Sequence, residues 1–99
     1  MAANRVEYHQ GAIADVKSAV AWYQRRNPKV ALDFIEELRR ATEIIREAPE
    51  RWPSGENDTR RFLLWRFPFA VVYSEHQSEI TIWAVAHASR RPEYWAHRL

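Results

Sequence analysis

Cysteine is absent and glycine nearly so, with only Gly11 and Gly55 among 99 residues. Without cysteine there is no disulfide framework and no thiolate metal site. Two isolated glycines cannot build a glycine-rich loop that cradles a phosphate. Long apolar runs are missing as well: none exceeds five residues, far short of the ~18–20 that span a bilayer. The N-terminus has no charged segment leading into an apolar one. A reducing, cytoplasmic setting is the expectation. The histidines His9, His76 and His97 lack ligand-like spacing, so neither a metal nor a cofactor is expected. The length fits one domain, residues 1–99, and excludes a barrel enzyme of ~250 residues.

Aromatic residues are plentiful, at 13% of the chain with five Trp, which excludes a disordered chain. Lysine is scarce, and thirteen of the fifteen cations are Arg. The first fifty residues carry eight cations and eight anions; the remainder carries seven cations, all Arg, against five anions. Arg supplies a planar fork for carboxylate or phosphate and stacks on aromatic rings. An Arg-only basic half mixed with Trp, Tyr and His suits an acidic protein segment or nucleic acid.

Periodicity gives the order of elements. Arg5 to His9 alternates at period two and predicts a strand that stops by Gly11. Ile13, Val16, Val20 and Tyr23 form one face of a helix from Ala12 to Arg26, with Asp15 placed near its positive end and Arg25 and Arg26 at its negative end. Trp22 lies off that stripe. Asn27-Pro28 stops this helix and opens the next, with Asn as N-cap and Pro at the first position. The second helix shows Ala31, Phe34, Leu38, Ala41, Ile45 and Ala48 and ends by Pro49. Glu36–Arg40 and Arg39–Glu43 are spaced to pair on its solvated side. Residues 49–59 read as a loop. Three strands follow, Arg60–Arg66, Phe69–His76 and Glu79–Ala88, joined at Phe67-Pro68 and at His76-Gln77-Ser78. Closely spaced strands make an antiparallel meander. The segment Pro92–Leu99 reads as a short helical turn. The fold class is α+β: an N-terminal strand and a helical hairpin packed on one face of a twisted antiparallel sheet that ends in a three-stranded meander.

Strict alternation along the last strand divides it into two faces. Ile80, Ile82, Ala84 and Ala86 form an apolar set that fits beneath the helices. Thr81, Trp83, Val85 and His87 then point to an open working face. His87 is therefore expected away from the helices. The facing of residues 60–66 stays open, because both of their sets are bulky.

The run Arg66-Phe67-Pro68-Phe69-Ala70-Val71-Val72-Tyr73, the spacing Ile80-x-Ile82-x-x-Val85-x-His87, and the ending Arg90-Arg91-Pro92-x-Tyr94-Trp95 resemble the C-terminal signature of the RelE/ParE toxin superfamily. The element order is similar along nearly the whole chain. The resemblance implies the toxin of a type II toxin–antitoxin, plasmid-stabilisation module that arrests growth, with a cognate antitoxin as partner in a hetero-oligomer. It implies either a ParE-like binder of DNA gyrase or a RelE-like endoribonuclease acting on mRNA at the ribosome. In the nuclease reading Arg61, His87, Arg90 and Tyr94 supply the base, the acid and the cations. Leu63 and Ala70 stand where such nucleases carry basic residues, and this departure favours the ParE-like branch, in which the toxin is not itself an enzyme. A non-toxic interaction module retaining the fold is the third reading. For all three, Arg60, Arg61, Arg66, Trp83, His87, Arg90, Arg91 and Trp95 are the expected partner-binding residues. The family reading leans on the open-face position of His87.

Overall fold

The computed structural model describes residues 4–99. It contains β1 (Arg5–Tyr8), α1 (Gln10–Arg26), α2 (Pro28–Glu47), β2 (Arg60–Leu63), β3 (Phe69–His76) and β4 (Glu79–His87). Short 3₁₀ turns occur at Pro49–Arg51, Glu56–Asp58 and Ala96–Arg98. The sheet order is β1-β4-β3-β2. The meander β2-β3-β4 is antiparallel as expected, and β1 joins β4 in parallel, so the sheet is mixed. None of the described helices is long and apolar enough to cross a membrane.

The helical hairpin turns on one residue. The Asn27 N–H donates to the Tyr23 carbonyl at 2.7 Å and closes α1. The Asn27 Oδ1 accepts the Lys29 N–H at 3.0 Å and opens α2. Pro28 follows at the first helical position, where it has no intrahelical N–H to lose. α1 begins two residues earlier than its apolar stripe indicates. His9 is its N-cap, its Nδ1 accepting the Gly11 N–H at 2.9 Å. Gly11 thus lies within the helix and does not terminate the strand. Asp15 falls beyond the first turn of α1, so it does not serve the helix dipole. On α2, Arg39 turns back to Glu36 at 2.6 Å, and Arg46 approaches Glu43 at 3.7 Å. These contacts at spacing three replace the expected pairs at spacing four.

The hairpin covers one face of the sheet. Phe34, Leu38, Ala41 and Ile45 of α2 and Ala12 and Ala19 of α1 pack on Phe69, Val71, Tyr73, Ile80, Ile82 and Val85. Aromatic edges lock this layer, with Phe34 meeting Phe67 at 5.3 Å and Phe69 at 5.0 Å. On the opposite face Trp95 is buried against Val72 and Ala84.

Membership of these two layers overturns the alternation assumed for β4. Val72 pairs with Ala84 while its neighbour Tyr73 pairs with Ile82, leaving Trp83 as an extra residue. This bulge turns every later side chain over. Ile80 and Ile82 face the helices as expected. Beyond the bulge Val85 and His87 do so instead of Ala84 and Ala86. His87, paired with Phe69, is on the helix side, contrary to the sequence reading. The facing of β2 is settled by its register. Arg60 and Phe62 share the helix face with Tyr73 and Val71, and Arg61 and Leu63 share the other with Val72 and Ala70. β2 ends at Leu63 rather than Arg66: the Leu64 N–H still reaches the Phe69 carbonyl at 2.9 Å, and Glu37 of α2 captures the two amides after it. Its Oε2 accepts the N–H groups of Trp65 and of Arg66, the latter at 3.0 Å.

Candidate functional site

Between α1 and the His87 end of β4 lies a groove of about 560 Å³. Ala19 and Tyr23 of α1 and Phe69 and Val85 of the sheet give it an apolar floor. Trp22 forms one wall, and His87, Ser89 and Arg90 form the rim. The bulge creates this site, since without it Val85 and His87 would point away from α1. Trp22 is 46% exposed. It carries the Arg26 guanidinium 3.6 Å above its ring and meets Tyr23 edge-on at 5.1 Å. A half-exposed Trp beside an apolar floor is a common anchor for a partner.

His87 is fixed on two sides. Its ring stands edge-on to Phe69 at 5.0 Å. Its Nδ1 accepts the Ser89 N–H at 2.9 Å and lies 2.8 Å from the Ser89 hydroxyl. With Nδ1 serving as acceptor, the neutral ring carries its proton on Nε2. Arg90 is exposed, takes part in no ion pair among the described residues, and lies 3.8 Å over the Tyr94 ring. The Tyr94 hydroxyl donates to Asp15 Oδ2 at 2.9 Å. Burial first, and then that bond to an anion, push the Tyr94 pKa up to about 12. The hydroxyl is therefore protonated across the neutral range and committed to Asp15.

His87, Arg90 and Tyr94 are brought together; the other expected residues are not. Arg61 lies on the opposite face of the sheet. Arg60 donates to the carbonyls of Trp52 and Glu50, bracing the loop before β2. Arg66 reaches Glu37 at 3.4 Å. Trp83 donates its Nε1–H to Ser74 at 2.9 Å and packs 5.4 Å from the His9 ring. Arg91 is exposed, and Trp95 is buried against its own sheet. RNA cleavage requires a base, an acid and a cation converging on one phosphate. Here one intended cation is across the sheet and one intended acid is held by Asp15. The groove instead has the make-up of a binding site: an apolar floor with a free guanidinium and an imidazole N–H at its edge.

Sequence reasoning missed Asp15 and Arg98, which underlie this site. It also missed a second surface where β2 meets α2. Trp65 is 91% exposed there and Leu63 69%, beside Ile44, Arg40 and Arg66 around a hollow of about 480 Å³. The apolar run Phe62-Leu63-Leu64-Trp65 was the available signal, and it reads equally well as a buried strand.

Comparison with known proteins places this architecture. A search of curated proteins finds no match. A solved structure described as the chromosomal ParDE TA system from P. aeruginosa has the same fold, with a TM-score of 0.77 and 19% identity. The match covers 87% of this chain and 97% of that one. The family described as "ParE toxin of type II toxin-antitoxin system, parDE" matches residues 6–92. That match does not depend on the facing of His87, so the family holds although His87 lies on the helix side and not on the open face from which the resemblance was argued. Matched over nearly its whole length and built on the same fold, the chain belongs to the ParE toxin family of type II toxin–antitoxin systems.

Proposed function

We propose that this protein arrests growth by binding DNA gyrase, and that a cognate antitoxin neutralises it by occupying the groove between α1 and the end of β4. The single observation that supports a binding mode is the composition of that groove, an apolar floor beside an unpaired Arg90. An apolar side chain of the partner, seated on Phe69 and Val85, contributes about 1.5–3 kcal/mol by leaving water. A neighbouring partner carboxylate is held by Arg90 through charge-assisted hydrogen bonds. The His87 Nε2–H donates to a partner carbonyl or carboxylate. The antitoxin segment expected here alternates apolar and acidic residues and joins the toxin in a hetero-oligomer.

Two assays test this. Purified protein added to gyrase should lower the rate of supercoiling, and induction in cells without antitoxin should stop growth. Arrest with undisturbed supercoiling and cleaved mRNA on translating ribosomes would instead establish the endoribonuclease. Normal growth on induction would leave a non-toxic interaction module.

A further inference from the structure

The outer edge of β4 is paired with β1 only as far as Ile82. There the chain turns into α1, with the His9 N–H donating to the Ile82 carbonyl at 2.8 Å. Past that point two backbone groups of β4 are taken by side chains. The Trp83 carbonyl accepts from Arg98 Nη1 at 2.8 Å, and the Val85 N–H donates to Asp15 Oδ2 at 3.1 Å. Arg98 and Asp15 also hold each other as a two-pronged pair, Nη1 to Oδ2 at 2.9 Å and Nη2 to Oδ1 at 3.3 Å. Their side chains are only 11% and 9% exposed. The Tyr94 hydroxyl is the remaining donor to Asp15. Four N–H and O–H donors from β4 and the segment after it thus converge on the one carboxylate that α1 supplies, and Asp15 and Val85 also line the groove.

We infer that Asp15 is a positioning residue for Arg90. It acts through the Tyr94 hydroxyl, and Arg98 holds Asp15 in place for that task. A long exposed Arg loses rotamer freedom when a partner immobilises it. Arg90 has already lost much of it, because its guanidinium carbon sits 3.8 Å over the Tyr94 ring. A ring is a fixed platform only if it cannot swing, and the bond from its hydroxyl to a buried, twice-bound carboxylate prevents that. The charge of Asp15 is meanwhile spent on Arg98, so the Arg90 charge stays available to a partner. As a claim about affinity, the inference rests on the groove being the working surface; as a claim about the side chain, it stands alone.

Tyr94→Phe is the informative variant, because it keeps the ring and removes only the hydroxyl. Asp15→Asn and Arg98→Lys accompany it, each judged only where circular dichroism shows a folded domain. The first readout is the ¹⁵N relaxation of the Arg90 side-chain Nε–H in the isolated protein. Its order parameter should be high in the wild type and fall in Tyr94→Phe towards that of exposed Arg91. The second readout is potency against gyrase supercoiling. Tyr94→Phe should weaken it about three- to tenfold, the range expected from re-freezing one long side chain. In an Arg90→Ala background it should weaken it no further. A rigid Arg90 in Tyr94→Phe, or a Tyr94→Phe loss undiminished when Arg90 is already Ala, overturns the inference. If the wild type leaves supercoiling unaffected, the gyrase reading fails, and the relaxation experiment still decides the positioning role.

Discussion

Gly11→Ala separates local helix preference from long-range packing. Gly11 is the second residue of α1. Replacing a helical Gly by Ala favours the helix by up to ~1 kcal/mol, so a reading of the helix alone predicts a more stable protein. A β-carbon there, however, would stand 2.4 Å from Arg98 Nε, 2.6 Å from its Cζ and 2.8 Å from its Cδ. The far end of an Arg usually swings aside at little cost. This one is bound to Asp15 and to the Trp83 carbonyl, and its displacement leaves a buried carboxylate without its counterion. Breaking one side of a buried pair costs about 3–5 kcal/mol. The net expectation is a loss of about 2–4 kcal/mol. At roughly 4–8 °C per kcal/mol for a domain of this size, the melting temperature should fall on the order of 10–30 °C. Thermal and urea unfolding measure it, with Arg98→Ala and the double variant alongside. In the Arg98→Ala background the same Gly11→Ala change should be neutral or slightly stabilising. A Gly11→Ala protein at least as stable as the wild type, with Arg98 intact, refutes the argument.

Three further outcomes are expected. Glu37→Ala should destabilise by about 1–3 kcal/mol in urea unfolding, because the amides of Trp65 and Arg66 lose their common acceptor. Arg90→Ala should leave unfolding unchanged within about 0.5 kcal/mol, as exposed positions usually do, while weakening growth arrest on induction. At alkaline pH the domain should weaken as Tyr73 and Tyr94 come into play. Burial pushes both up to about 12, for Tyr94 with help from its bond to Asp15. Above pH 10 these tyrosines ionise in the unfolded chain but stay protonated in the folded one. The folded state then holds more protons, so stability is complete below pH 10 and is lost as the pH rises towards 12. Urea midpoints at pH 9, 10 and 11 follow this, and Tyr94→Phe should flatten the slope.

What the sequence made legible was local. The apolar stripes of both helices, the double role of Asn27-Pro28 and the meander with its turn after His76 all depend on neighbours within a few residues. The missed features depend on distant ones. Nothing in Ile80 to His87 interrupts the alternation; the extra residue at Trp83 coincides with contacts from Arg98 to the Trp83 carbonyl and from Asp15 to the Val85 N–H. The end of β2 was obscured by the apolar run through Trp65, whose amide is claimed by Glu37, 28 residues earlier in the chain. Even the start of α1 was hidden by chemistry, since an imidazole fills a capping role that Ser, Thr, Asp or Asn usually takes. At the site, His87 and Arg90 were picked by residue type and position, whereas Arg61 was excluded by the face on which β2 places it.

The Asp15–Arg98 pair spans 83 positions of the chain, which has a consequence in time. At roughly 5–20 residues per second of synthesis, about 4–17 s pass between the making of the carboxylate and the making of its counterion. For the last part of that interval, once residue 87 has been made, a nascent polypeptide has all the residues of the hairpin and the sheet but no brace behind position 90. A newborn chain is thus still unfinished at the rim of its groove, and on the proposed function this is an interval in which an antitoxin made alongside can reach it first. Chains stopped before residue 98 should be cut readily by protease after residue 87 while the hairpin and sheet resist; equal resistance throughout would remove this delay.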